Sequence, residues 1–392
     1  MAMVPIPVEG RLTEYLHNKA AMKGVPLSGS FELTPCCNMA CKMCYVRMTK
    51  AEQEAHAPLR TAEEWIDLGC AAKERGMLYL LLTGGEPFLR PDFREIFQGL
   101  HALGLILSIN SNATLINEET VAWLKQTPPT RINITLYGAS DETYERLCGN
   151  PKGYTQATTA IRLLREAGIS VKLNHSVTPD NAADLAAVFA FAQKESLILQ
   201  ATSYMFPPLR RDETMVGCNH RFAPEDAAYY AAQIARMMNG DEAFLDRMKE
   251  GLPPIPQETE DCMDAGPGEG IRCRAGKCSF WVTWTGTFLP CGMMPLQGAP
   301  NVFNQGFDAA WEQAKSFAGA IRLSVKCAAC EARDSCKACA AMVYTESGGF
   351  GTIPQYRCAM TKAYPEACKR VMEEIVAPIK PDPMKQIQEA TK

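Results

Sequence analysis

Cys37, Cys41 and Cys44 stand in the spacing C-x3-C-x2-C within one short segment. Three thiolates on a single loop can ligate three irons of a [4Fe–4S] cube and leave the fourth iron without a protein ligand. An iron left open in this way can chelate the amino and carboxylate groups of an amino-acid-like ligand. The same spacing also suits a zinc site or a chance cluster. Cys36 offers a second register, but only Cys37 gives the x3–x2 spacing. About forty residues on, the run 78–83 ends in Thr83-Gly84-Gly85-Glu86-Pro87. Paired glycines let a ligand approach the backbone closely, and Glu86 supplies a carboxylate for an ammonium group. Taken alone, this segment reads as a tight turn carrying a solvated acid.

The chain holds 17 cysteines in 392 residues, and they are unevenly placed. Cys273, Cys278 and Cys291 bracket Gly286 in the pattern C-x12-G-x4-C. Cys327, Cys330, Cys336 and Cys339 follow as C-x2-C-x5-C-x2-C, and Cys358 comes later. In a chain with no basic-then-apolar export signal, clustered cysteines point to metal rather than disulfides. The C-x2-C pairs suit tetrahedral zinc as well as iron–sulfur clusters. Of the remaining cysteines, Cys36, Cys70, Cys262 and Cys368 read as small apolar packing residues. Cys148 and Cys218 fall near strand ends, where a free thiol can donate a hydrogen atom to a substrate radical. A formal net charge of -4 gives no sign of a nucleic-acid partner or an anionic membrane surface. No apolar run is long enough for a membrane span, so a cytoplasmic protein is expected.

The elements that must carry these residues alternate. β-rich runs at 30–34, 78–83, 105–111, 132–137, 170–177 and 197–205 read as buried parallel strands. Helical stretches separate them. Thr61 and Glu64 form a capping box, and Gly76, Gly104 and Gly168 close helices ahead of strands. The pattern predicts an α/β fold, a parallel barrel or open barrel, with its chemistry at the C-terminal ends of the strands. The expected divisions are an N-terminal segment 1–28, a barrel 29–250 ending in a helical stretch, a Pro/Gly-rich linker 251–268, a cysteine-rich domain 269–375 and a polar tail 376–392.

C-x3-C-x2-C followed by a strand ending in Gly-Gly-Glu-Pro resembles the radical S-adenosylmethionine (SAM) superfamily. Ser111-Asn112-Ala113-Thr114-Leu115 and Thr135-Leu136-Tyr137-Gly138 resemble that family's stretches after the third and fourth strands. The C-terminal cysteines resemble the SPASM domain, although the last spacing is x2 where x3 is usual. The resemblance implies a partial (β/α)6 TIM-type barrel followed by a small cysteine-rich SPASM domain. It implies SAM contacts from Gly84, Gly85, Glu86, Pro87, Ser111, Asn112 and Thr135. Ala113 replaces the usual glycine. Cys148 stands where many relatives carry an arginine, and Arg146 can substitute for it. By position, Cys37, Cys41 and Cys44 would hold the SAM-binding [4Fe–4S] cluster. Cys273, Cys278, Cys291 and Cys339 would hold one auxiliary [4Fe–4S] cluster, and Cys327, Cys330, Cys336 and Cys358 the other.

The resemblance implies an anaerobic oxidoreductase that cleaves SAM reductively and abstracts hydrogen from a peptide or protein. An electron donor such as flavodoxin or ferredoxin is expected, with the auxiliary clusters in electron transfer. Gly292 stands where sulfatase-maturing relatives carry an aspartate, which speaks against formylglycine formation. Arg210 and Arg211 are placed to meet an anionic substrate group at the barrel mouth, or form a solvated loop. Only about thirty residues precede the first strand, fewer than a leader-binding domain needs, which favours the small-molecule alternative. A non-catalytic metal-binding scaffold is the third reading.

Overall fold

Short runs of Leu, Ile and Val flanked by glycine caps pair most readily with strands that follow after a helical crossover. In the computed structural model, which describes residues 10–252, 254, 268–294 and 296–377, this gives six parallel strands. They are β1 (Ser28–Glu32), β2 (Tyr79–Thr83), β3 (Ile106–Ser111), β4 (Arg131–Thr135), β5 (Val171–Ser176) and β6 (Ile198–Thr202), neighbours in chain order. Each lies within a few residues of its expected run. The order defines the α/β partial barrel.

Before the sheet comes α1 (Arg11–Lys23). α2 (Lys50–His56) and α3 (Ala62–Glu74) connect β1 to β2. α4 (Phe93–Ala102) and α5 (Glu118–Gln126) follow β2 and β3. α6 (Asp141–Cys148) and α7 (Gly153–Glu166) follow β4, and α8 (Leu185–Lys194) follows β5. Thr61 and Glu64 make the expected capping box on α3. Gly76, Gly104 and Gly168 take φ of +104°, +80° and +76°, in the left-handed range their capping role requires.

The strands are not buried on both faces. Leu80, Leu82, Leu107, Ile109, Ile132, Ile134, Leu173 and Leu199 pack against Trp65, Phe97, Leu100 and Leu124 of the helices. Asn110, Asn133 and Asn174 alternate with them and stay half-buried on the opposite face, and Gln200 is exposed there. Such alternation belongs to a sheet with one face on the core and one facing a polar space.

The expected helical stretch 224–250 is two helices, α9 (Pro224–Asn239) and α10 (Asp241–Glu250), broken at Gly240 with φ +86°. The linker 251–268, the tail 376–392 and Cys262 lie almost wholly outside the described residues. Beyond them, β7 (Ser279–Val282) pairs parallel with β1, and β8 (Phe288–Leu289) pairs antiparallel with β7. The cysteine-rich half therefore extends the barrel sheet itself. Its helices are α11 (Val302–Gln305), α12 (Phe307–Ala320), α13 (Val325–Ala328), α14 (Arg333–Cys336), α15 (Ala340–Ser347) and α16 (Gln355–Val376), the last packed along α9. Among the described residues, no helix is long and apolar enough to cross a membrane.

Candidate active site

The cysteine loop leaves the end of β1 and closes on itself where Met48 N donates to Pro35 O at 3.0 Å. One side of it is fastened to the Gly-Gly-Glu-Pro turn. Gly85 N donates to Thr34 O at 2.6 Å, and Glu86 N to Cys36 O at 2.9 Å. A Cβ on Gly84 would stand 2.5 Å from Thr34 O, and one on Gly85 would stand 2.2 Å from Cys36 O. The expectation that these glycines admit a ligand is thus corrected in part: what approaches their Cβ positions is the cysteine loop. The other side is fastened to the end of α6. Ala40 N donates to Cys148 O at 2.7 Å and Lys42 N to Leu147 O at 3.1 Å. The last carbonyls of a helix lack partners within it, so the loop caps α6 as α6 positions the loop.

Within this frame the three thiols lie close enough to influence one another electrostatically. Burial pushes Cys37 up to about 12 and raises Cys44. Cys41 is pulled down by hydrogen bonds from the Cys148 thiol and from Tyr137. Cys37 Sγ accepts from Met39 N at 3.4 Å and lies 3.6 Å from Asn112 Nδ2. Among the described residues, no three His, Cys, Asp or Glu side chains converge as the ligands of one metal ion would. A cluster differs, because each thiolate then binds a separate iron. The donor set fits such a cluster: three neighbouring thiols with donors aimed at their sulfurs, buried so that an iron must replace the proton.

Glu86 is fully buried. Its Oε1 accepts from Phe88 N at 3.1 Å and Ser111 Oγ at 2.9 Å, and its Oε2 accepts from Asn112 N at 2.7 Å. Burial pushes its carboxyl up to about 7 against these donors. An ionised carboxylate offers about four acceptor positions, so one remains for an ammonium group. Asn112 also donates to Asn38 Oδ1 at 3.0 Å and accepts from Thr114 N at 2.9 Å. Ser111 and Asn112 therefore join Glu86 to the cysteine loop. Ala113 is held at φ +63°, where its N donates to Ser111 Oγ.

Thr135 ends β4 on the polar face, opposite Asn174. On the same face Asn133 Nδ2 donates to Asn110 Oδ1 at 2.9 Å, while Asn133 Oδ1 and Arg131 Nε are buried with no hydrogen-bond partner. Buried polar atoms normally have partners, and these two have none among the described residues.

The expected hydrogen donors are placed differently from one another. Cys148 has no accessible surface, and its neighbour is Cys41 rather than the mouth of the barrel, so its geometry is that of a support for the loop. Cys218 is exposed in the segment after β6. Arg146 lies half-exposed on α6 and donates to Asp180 O at 2.6 Å.

Several contacts of the mouth escaped sequence reasoning. Asp180 accepts from Lys42 Nζ at 3.0 Å and bonds His220 Nε2 at 2.5 Å, tying the cysteine loop to the tops of β5 and β6. Arg210 is buried, 2.6 Å from Glu32 Oε1 and 3.0 Å from Gly292 O. Trp281 Nε1 meets the other Glu32 oxygen at 3.2 Å. These contacts join residues 40 to 249 positions apart, and no local spacing signals them.

The C-terminal cysteines gather into two groups. Cys327, Cys330, Cys336 and Cys358 line one cavity. Cys273 lines one cleft with Cys291 and another with Cys339. Cys278 is fully buried against Ala20 and Leu27.

Residues 31–192 match the model of the radical SAM superfamily, and the region that follows them carries the second group of cysteines. It is 26% identical over 348 residues to the AdoMet-dependent heme synthase of Methanosarcina barkeri, covering 84% of this chain and 95% of that one. It is also 26% identical to the mycofactocin maturase MftC of Mycobacterium ulcerans, over 80% of this chain and 82% of that one. The structure of Streptococcus suis SuiB bound to its precursor peptide SuiA shares the fold at a TM-score of 0.62 and 16% identity, over 86% of this chain and 78% of that one.

Proposed function

We propose that this enzyme cleaves SAM reductively and uses the resulting radical to abstract hydrogen from a peptide. The observation that carries the reading is the cysteine loop itself, three thiols locked beside a buried carboxylate with one acceptor position to spare. Cys37, Cys41 and Cys44 would hold a [4Fe–4S] cluster, which would supply the electron needed to break the sulfonium C–S bond of SAM. Glu86 takes the SAM ammonium. The backbone of Gly84 and Gly85 and the strand tops at Ser111, Asn112 and Thr135 orient the rest. Hydrogen bonds from Cys148 and Tyr137 favour the ionised form of Cys41. The polar face formed by Asn110, Asn133 and Asn174 receives the remaining polar groups. Cys218, exposed in the segment after β6, is the second proposed hydrogen donor.

Cys327, Cys330, Cys336 and Cys358 suit one auxiliary cluster. Cys273, Cys291 and Cys339, with Cys278 by family position, suit the other. Both would relay electrons between the site and an external carrier such as flavodoxin or ferredoxin, which donates one for SAM cleavage and in its oxidised form accepts one from the product radical, in the reducing cytoplasm. Peptide chemistry is supported by the fold shared with a peptide-bound structure and by similarity to a maturase. A small-molecule substrate is the second reading, supported by near full-length similarity to a heme synthase. Anaerobically reconstituted protein given SAM and dithionite is expected to form 5′-deoxyadenosine. A reconstituted, reduced protein that forms none overturns the proposal.

A further inference from the structure

Beside the cysteine loop lies a second cavity of about 440 Å³, lined by Arg47, Met48, Glu52, Ala55, His56 and Arg211. Arg47 follows Cys44 by three residues, and its Nε is buried with no hydrogen-bond partner. Arg211 approaches from the segment after β6, and its Nη1 donates to Cys44 O at 3.3 Å. The neighbouring Arg210 is committed to Glu32, so of the paired arginines only Arg211 reaches this space. The cavity holds one carboxylate of its own, Glu52. That group is already engaged, with Oε2 accepting from Thr49 N at 2.6 Å and Thr49 Oγ1 at 2.8 Å. Two guanidinium groups thus share one carboxylate that another residue occupies, and the cavity keeps an excess positive charge next to the proposed cluster.

We propose that this cavity is an anion subsite that grips a carboxylate of the substrate through Arg47 and Arg211. The proposal rests on the radical SAM reading only for why a substrate should lie here. Arg forks match carboxylates geometrically and form charge-assisted bonds. His56 borders the cavity and lies 5.4 Å, ring to ring, from the buried Trp284, which fixes that wall. The carboxylate can come from an acidic peptide or from a small polycarboxylic acid, and the chemistry of the grip is the same.

The test is calorimetric titration of the anaerobically reconstituted protein with hexaglutamate and with glutarate, using hexaglutamine as the neutral control. One carboxylate probe is expected to bind, hexaglutamate if the source is a peptide and glutarate if it is a small acid. Arg211→Gln should weaken that probe about tenfold, and the double variant with Arg47→Gln should weaken it further. Because Arg47 lies near the cysteine loop, an independent variant is needed that leaves the loop untouched. Glu52→Gln preserves the capping box, which glutamine also satisfies, and removes the competing charge; it should tighten binding severalfold. Unchanged affinity in Arg211→Gln and Glu52→Gln overturns the proposal. So does hexaglutamine binding as tightly as the acids, or no binding of either acid. If 5′-deoxyadenosine still forms while neither acid binds, the subsite is refuted and the radical SAM reading stands.

Discussion

Cys37, Cys41 and Cys44 sit on a loop bonded to the β2 turn on one side and to the end of α6 on the other, above a sheet whose core is formed by strands and long helices. Cys327 and Cys336 instead lie on α13 and α14, helices of four residues each. Helices that short have no stability of their own. The second group is anchored by a few contacts: Arg357 to Cys336 O at 2.9 Å, and Arg333 to Glu269 at 3.0 Å. One set of thiols is positioned by the fold before any metal arrives. The other sits on short helices with fewer ties to the rest of the fold.

The largest effect follows from that contrast. Stripping iron with a chelator under anaerobic conditions should open residues 325–339 to limited proteolysis and leave the barrel segment 28–202 resistant. Equal sensitivity of both segments would erase the distinction. Next comes the clamp between the halves, where Arg221 pairs with Glu346 at 2.6 Å with both side chains buried, and stacks 3.5 Å from the Tyr356 ring. Arg221→Ala leaves a buried carboxylate unpaired and should cost about 3–5 kcal/mol by urea denaturation. A loss well below 1 kcal/mol would mean that the halves are held together elsewhere.

A smaller, pH-dependent effect belongs to Glu86. Its folded pKa, about 7, lies above the ordinary 4.5 because of burial. A group raised in this way contributes stability that is fully present below its unfolded pKa and is lost as pH rises through its folded pKa. Between pH 5 and 8 the wild type should therefore lose stability relative to Glu86→Gln, and SAM, by bringing an ammonium, should reverse the trend. Parallel melting profiles of the two proteins over that range would refute the burial argument. The smallest effect is at Ala113. Glycine there removes a left-handed backbone cost of about 1 kcal/mol, partly offset by its greater freedom when unfolded. Ala113→Gly should raise the urea midpoint slightly, and a lower midpoint would contradict the strain.

The same contrast explains what could be read from the sequence. The six strands and their glycine caps were legible because periodicity and φ requirements are local, as at Gly76 and Gly168. The cysteine loop was legible because its spacing is local too. Glu86 was recognised as a carboxylate for an ammonium, but its ties to Ser111 and Asn112 were not, because they join two strand tops. Arg210 was read as facing substrate, yet Glu32, 178 positions away, claims it. The polar face of β3–β5 was hidden by the branched residues that alternate with it. The pairing of β7 with β1 had no sequence signal, since it joins segments 250 residues apart.

The account rests most directly on the first three thiols. Protein purified and reconstituted without oxygen should carry about twelve irons and release 5′-deoxyadenosine from SAM on reduction. The Cys37→Ala/Cys41→Ala/Cys44→Ala variant should lose about four irons and all of that product while keeping the C-terminal iron. A triple variant that still makes 5′-deoxyadenosine at the wild-type rate would contradict it.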